Sequence, residues 1–269
     1  TIDAAVSIDA VKKFIAEQDL KAEHRYVPDI VVASNLGRWK EKIAIVGGGP
    51  AGLSCAYYLA QMGYYPTVFE KNERAGGMLT YGIPSYKLEK DVIDAEIGIM
   101  KEMGVEIKCG VEVGKDVTIP ELRKQGYRAF YIAIGCQGGR LPGVPGQGAD
   151  GVTTAVEFLH RANTGKEKVS GEVVVVGGGN VAIDAARVSA RSGAGKVTML
   201  CLETEDIMPA SSEEVKEARE DGVIVNCGWG PTEKSPRSFS KNASAFTTKI
   251  KNSTPYTMKT NCLPCLRTR

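Results

Sequence analysis

Two glycine-rich turns hold the residues whose types and spacing could do chemistry. In Lys42-Ile-Ala-Ile-Val-Gly47-Gly48-Gly49-Pro50-Ala51-Gly52-Leu53, a G-x-G-x-x-G spacing follows an apolar run and opens a helix-forming stretch. Each glycine has its own reason: Gly47 permits the tight turn, Gly49 lets backbone approach a pyrophosphate, and Gly52 allows close packing of helix on strand. Free amides at the helix start, with Pro50 and Ala51 in the first turn, then face the phosphate charge. The chemistry also needs an acid about 20 positions on to accept ribose hydroxyls. Glu70 closes the next apolar run, and Lys71 beside it joins the candidate binding residues. A glycine loop of purely structural purpose is the alternative, against which strand, helix and Glu70 all fall in place.

The second turn, Glu172-Val-Val-Val-Val-Gly177-Gly178-Gly179-Asn180-Val181-Ala182, repeats the arrangement with Ala182 in the third glycine's place. Alanine is permitted there but holds the helix slightly further off. The run Lys196 to Leu202 ends on Glu203, whose carboxylate suits a free ribose diol and repels a 2′-phosphate, so NAD is favoured over NADP. A solvated loop acid is the other reading of Glu203. Two dinucleotide sites in one chain point to electron transfer between a nicotinamide and FAD, since a flavin accepts a hydride and passes electrons on. Hydride transfer depends on stacking and orientation, so no catalytic acid or base is expected.

Each turn requires a β-α-β unit around it, and the text supplies both. From Lys42 the order is strand, glycine turn, helix to Gly63, and strand Pro66 to Phe69. A Gly/Tyr/Pro-rich stretch, Gly76 to Pro84, precedes a predicted helix from Leu88 to Met103 and short strands near Val105–Cys109 and Phe130–Ile134. The loop Gly135 to Gly151 reads as a boundary, Thr153 to Ala162 as helical, and Val173 to Glu203 as the second unit. Ahead of all this, Ser7 starts a short amphipathic helix with Val11, Phe14, Ile15 and Leu20 at helical spacing. The predicted fold class is α/β, with two Rossmann-like dinucleotide-binding domains of three-layer parallel sheets. Residues 1–40 form an N-terminal helical segment, 41–150 the FAD domain and 151–231 the NAD(P) domain. Residues 232–261, dominated by Lys, Ser, Thr and Asn without periodicity, place a disordered tail over 232–269.

Charge sharpens that last division. Residues through 231 hold 26 Lys+Arg against 31 Asp+Glu, and the rest hold 8 against 1, so the net +2 conceals a basic tail on an acidic body. Nothing in this points to nucleic acid. The apolar runs fall far short of the roughly 20 residues a membrane span needs. Seven cysteines, an odd number irregularly spaced, argue against a disulfide framework and for the cytoplasm. Cys55 and Cys136 are expected to pack as small apolar groups. Cys262-Leu-Pro-Cys265 has the form of a redox pair, which keeps a disulfide reductase open as an alternative activity. His24 and His160, the only histidines, are too few for a metal cluster, and no metal site is expected.

The stretches Val46–Leu53, Ala75-Gly-Gly-Met-Leu-Thr-Tyr-Gly-Ile-Pro84, Ala133-Ile-Gly135, Gly177–Arg187 and Met208-Pro-Ala210 together resemble the small (beta) subunit of glutamate synthase and its relatives, including the flavin half of dihydropyrimidine dehydrogenase. The resemblance covers roughly residues 5–230. It implies that Gly47, Gly49, Pro50, Ala51 and Gly52 hold the FAD pyrophosphate, that Glu70 holds the ribose, and that Gly77, Met78 and Leu79 line the flavin side. Ala133 to Gly135 would mark the crossing into the nicotinamide domain, where Gly177, Gly179, Asn180, Val181 and Ala182 hold NAD(P)H. Electrons would pass through FAD to iron–sulfur clusters and a separate large glutamate-synthase-type subunit, or another electron-accepting protein. Three departures stand out. Leu202 and Glu203 occupy positions where relatives carry an arginine pair for the 2′-phosphate. No cysteine precedes Cys55, so residues 1–40 read as the remnant of an iron–sulfur domain, and the family's text after residue 230 is replaced. On this resemblance the chain is expected to be truncated at both ends, and a non-catalytic dinucleotide-binding fragment is a further alternative.

Overall fold

The computed structural model describes residues 6–30, 39–141, 143 and 147–229. The chain divides between Cys136 and Gln137 into two compact units. Each is built on a parallel sheet.

The first unit carries β1 (Lys42–Val46), β2 (Tyr65–Glu70), β3 (Glu106–Cys109) and β4 (Tyr127–Ile132), in the sheet order β3-β2-β1-β4. Val46 pairs with Phe69 on one side and Ile132 on the other. Adjacent strand residues face opposite sides of a sheet. Accordingly Ile45 and Val68 pack with Ala56 and Ala60, whereas Ala44 and Phe69 pack with Leu122 and Tyr127 on the far side. Covering both faces is what makes β1 an unbroken apolar word rather than an alternating one. The covering helices are α2 (Pro50–Gln61) and α4 (Lys90–Glu102) on the first face and α5 (Ile119–Lys124) on the second, with a short α3 (Met78–Tyr81) between α2 and α4 in sequence. The chain runs β1 to β2 to β3 outward and then returns to place β4 on the other flank of β1. That reversal makes the carboxyl ends of β1 and β4 the topological switch point, the position where open α/β sheets bind ligands.

The predicted N-terminal helix is present as α1 (Ile8–Lys21). None of its residues is buried, and Val11, Phe14 and Ile15 are exposed. The connector after it is fastened by Arg25, whose guanidinium donates to Asp19 and Glu96.

In the second unit β5 (Glu172–Val176), β6 (Lys196–Cys201) and β7 (Ile224–Cys227) lie in that order, with Cys201 paired to Cys227 at the carboxyl end. Val173 and Val175 point into one core shared with α6 (Ala155–Asn163), α7 (Asn180–Arg191) and α8 (Ser212–Glu220). The alternate residues Val174 and Val176 are half-buried. Three helices announce their starts chemically: Thr118, Thr154 and Ser211 each accept from the backbone N–H three residues on, and Glu121 returns a bond to Thr118. Neither α5 nor α8 was foreseen, although Thr118-x-x-Glu121 and Ser211-x-x-Glu214 signal both.

Candidate dinucleotide sites

In the first unit the glycine turn leaves the end of β1 with Gly47 at φ +107°. Its N–H donates to Phe69 O at 2.8 Å, and a Cβ there would come within 2.3 Å of Ala133 O. Ala133 itself donates from N to Val46 O, so β4 is tied to the base of the turn. A Cβ on Gly52 would lie 1.9 Å from Gly47 O, which fixes how closely α2 sits on its strand. Gly49 differs from both. The nearest atom to a Cβ there is Gly77 Cα at 3.7 Å, so a side chain would fit in ordinary contact and the fold itself does not demand glycine. Gly49 caps α2 with no side chain, leaving first-turn amides that have no intrahelical acceptor. A glycine that packing does not demand, standing before uncapped amides, fits a pyrophosphate.

Glu70, 4% exposed, is locked over this turn. Its Oε2 accepts from Gly48 N at 2.7 Å, and its Oε1 accepts from Asn72 N at 2.9 Å and Asn72 Nδ2 at 2.8 Å. A Cβ on Gly48 would press to 3.1 Å from that carboxylate and 3.2 Å from Ala75 Cβ. A side chain at the middle position would crowd the carboxylate, a closeness that the spacing alone does not reveal. Lys71 is exposed beside it.

A second backbone loop lies directly on the first. Gly76 N donates to Gly48 O at 2.7 Å, and Gly77, at φ +54°, would bring a Cβ 2.7 Å from Gly49 Cα. Met78 and Leu79 follow in α3, half-buried, and Leu79 lines an apolar groove of about 420 Å³ with Pro50, Leu53, Ile93 and Ile97. Lys90 holds this segment in place, its Nζ donating to Leu79 O and Ile83 O at 2.8 and 2.6 Å. Burial pushes the Lys90 ammonium below its ordinary pKa, and the Arg74 charge adds to the effect. Gly135, at φ +65°, lies two residues beyond Ala133. Cys136 is exposed rather than packed, because the chain has already left the sheet at Ile132.

The second unit repeats the construction with measurable differences. Gly177 N donates to Leu200 O at 2.8 Å, and a Cβ on Gly177 would stand 3.3 Å from Ala182 Cβ. This turn is loose enough for the methyl that Gly52 could not carry. Nothing lies within 4 Å of a Cβ on Gly179. A Cβ on Gly178 would meet Glu203 Oε2 at 2.9 Å and Cys201 Cβ at 3.0 Å, so the second acid also rests against the middle glycine. Gly178 O accepts from Ala210 N, and Asn180 Oδ1 accepts from Ser211 N at 3.1 Å, which fastens the Met208–Ala210 stretch and the start of α8 to the turn. Val181 is exposed, as is Leu202 at 67%. Behind the turn, buried Arg187 donates to Asp221 Oδ2 at 2.7 Å and to Glu217.

Residues 41–258 match the pyridine nucleotide-disulphide oxidoreductase family. The chain belongs to that family. It is 39% identical over 232 residues to the glutamate synthase [NADPH] small chain of Escherichia coli (strain K12), covering 81% of this chain and 48% of that one. To the NAD-dependent dihydropyrimidine dehydrogenase subunit PreT of the same organism it is 36% identical over 233 residues, covering 86% and 54%. The chain thus spans about half the length of these relatives. Mycobacterium tuberculosis FprA, solved in complex with NADPH, shares the fold with TM-score 0.61 at 18% identity, covering 73% of this chain and 61% of that one.

Gly47–Gly52, Glu70, Gly77–Leu79 and Ala133 gather at the carboxyl end of the first sheet, and Gly177–Ala182 and Glu203 at that of the second. Gly48, Gly178, Asn72 and Lys90 were not foreseen. Cys262 and Cys265 lie outside the described residues, as does the tail from 230. Among the described residues, no group of three or more His, Cys, Asp or Glu could hold a metal ion, and no helix is long and apolar enough to cross a membrane.

Proposed function

We propose that this chain carries the FAD- and NAD(P)H-binding core of an oxidoreductase of glutamate-synthase small-subunit type, passing electrons from the nicotinamide through FAD to an iron–sulfur or partner-subunit acceptor, in support of glutamate formation. One observation carries the reading: each parallel sheet ends in a glycine turn whose middle residue is backed by a carboxylate, Glu70 against Gly48 and Glu203 against Gly178. In this reading Gly47, Gly49, Pro50, Ala51 and Gly52 hold the FAD pyrophosphate, Glu70 the ribose, and Gly77, Met78 and Leu79 the flavin side. Gly177, Gly179, Asn180, Val181 and Ala182 hold the nicotinamide dinucleotide, with Glu203 on its ribose. Bound FAD supplies the hydride-accepting group. The protein's own part is to bind, orient and shield, and Lys90 contributes by fixing the α3 segment.

NAD is favoured over NADP, because Leu202 offers a 2′-phosphate no positive charge and Glu203 opposes it. The relatives' names divide on this point, one carrying NADPH and one NAD. An electron-accepting partner, of large glutamate-synthase-subunit type, agrees with the words "small chain" and "subunit" in those names. The cytoplasm agrees with five free cysteines among the described residues. The test is reconstitution of the 269-residue protein with FAD, followed by anaerobic titration. We expect a yellow protein bleached faster by NADH than by NADPH, and Leu202→Arg with Glu203→Arg should invert that order. A protein that takes up no FAD overturns the proposal, and a wild-type preference for NADPH overturns its nicotinamide assignment.

A further inference from the structure

Cys201 ends β6 and Cys227 ends β7, and the two are register partners in adjacent parallel strands. Neighbouring strands stand about 4.8 Å apart, inside the Cα–Cα window of roughly 4.4–6.8 Å that a disulfide requires, and register partners present their side chains to the same face. Both are free thiols, and Cys201 Sγ already lies 3.8 Å from Asn226 O of β7. Cys201 is 1% exposed, with Sγ 3.6 Å from Glu203 O, while Cys227 is half-buried. Cys201 lies directly under the second turn, since a Cβ on Gly178 would touch both Cys201 Cβ and the Glu203 carboxylate. The backbone reinforces that adjacency: Gly228 N donates to Glu203 O and Trp229 N to Cys201 O.

We propose that Cys201 and Cys227 are a reversible disulfide site, oxidised by exchange with a low-molecular-weight disulfide, whose closure weakens dinucleotide binding at the Gly177–Ala182 turn. The second half of this rests on the nicotinamide assignment given above. The more accessible Cys227 thiolate attacks one sulfur of the small disulfide, forming a mixed disulfide and releasing one small thiolate. Cys201 Sγ then attacks the Cys227 sulfur, its proton leaving to solvent, and the second small thiolate departs. Two protein thiols lose two electrons and two protons, and the small disulfide becomes two thiols. Burial first, with the neighbouring Cys227 thiol and the nearby Glu203 and Glu205 charges adding, pushes the Cys201 thiol up to about 12, in keeping with its role as the second, buried partner in the exchange. Closure removes the Cys201 S–H proton, so Sγ no longer donates to Glu203 O or to Asn226 O, and the segment that carries the Glu203 carboxylate loses an anchor.

The full chain, with all seven cysteines, is incubated with oxidised glutathione and mapped by mass spectrometry without reduction, and NADH affinity is measured before and after. A linked Cys201–Cys227 peptide is expected, with a rise in the NADH Kd of about three- to tenfold that dithiothreitol reverses. Cys227→Ser, or Cys227→Ala should the first fail to fold, is expected to bind NADH alike under both conditions. Absence of the linked peptide overturns the proposal, and a linked peptide with unchanged affinity overturns its coupling to the dinucleotide. Reduced protein that binds neither NADH nor NADPH sinks the nicotinamide assignment instead, while the peptide map still decides the disulfide.

Discussion

Glu70→Gln is the sharpest single test of the first site, because the geometry leaves an amide no comfortable orientation. Both carboxylate oxygens accept from N–H groups: Oε2 from Gly48, Oε1 from Asn72 twice. Glutamine offers one oxygen and one NH₂. Turned one way, its NH₂ faces Gly48 N–H; turned the other, it faces the two Asn72 donors. The Gly48 backbone cannot withdraw, since Gly76 N–H holds its carbonyl from the neighbouring loop. At least one buried donor is left without an acceptor, at a cost of about 1–3 kcal/mol. For a protein of this size that lowers Tm by about 3–10 °C. Replacing a charged acceptor by a neutral one at the ribose removes about 1.5–3 kcal/mol more from FAD binding, a rise in Kd of about ten- to hundredfold. Thermal denaturation without added flavin and fluorescence titration with FAD separate the two effects. A glutamine variant with wild-type Tm would refute the donor accounting, and one with wild-type FAD affinity would refute the ribose role.

Gly52→Ala and Gly179→Ala should fail in opposite ways. The first places a methyl 1.9 Å from Gly47 O, so we predict a stability loss of about 1–3 kcal/mol together with loss of FAD. The second meets no atom within 4 Å, so Tm should stay within about 2 °C while NADH affinity falls about tenfold or more; paired calorimetry and binding measurements that show equal destabilisation would contradict this. Burial pushes the Asp221 carboxyl up, but hydrogen bonds from Arg191 and Arg187 outweigh it and hold its pKa below the ordinary value. Its stabilisation is therefore complete above about pH 4 and is lost as pH falls through the lower folded-state value. Urea midpoints of wild type and Asp221→Asn should differ at neutral pH and converge toward pH 3, and a constant gap would contradict the ion-pair account.

The parts of the fold written as local periodicity were legible. The apolar words Ile43–Val46 and Val173–Val176, each followed by glycines and a helix, located both turns because strand, turn and helix are adjacent in sequence. Glu70 and Glu203 were found by their distance from the turns. Other features are set by contacts remote in sequence, and spacing could not show them. Gly48 and Gly178 occupy positions the motif leaves free, and the acids that close over them, 22 and 25 residues further on, come from the ends of separate strands. Lys90 looks like any helix-start lysine until the carbonyls of Leu79 and Ile83 converge on it. The short α3 was hidden by its flanking Gly77 and Gly82, and β7 by having only four residues, one of them Asn226. By contrast, α5 and α8 were overlooked despite explicit capping residues.

The Ala133 carbonyl that leaves Gly47 no room for a side chain belongs to a peptide only three residues short of where the first unit gives way to the second. One stretch of main chain is thus both the wall of the glycine turn and the threshold of the linker. Bulk or tension introduced at residues 133–136 for the sake of altering the linker will also be registered as a change in the shape of the turn, so the two properties cannot be engineered independently.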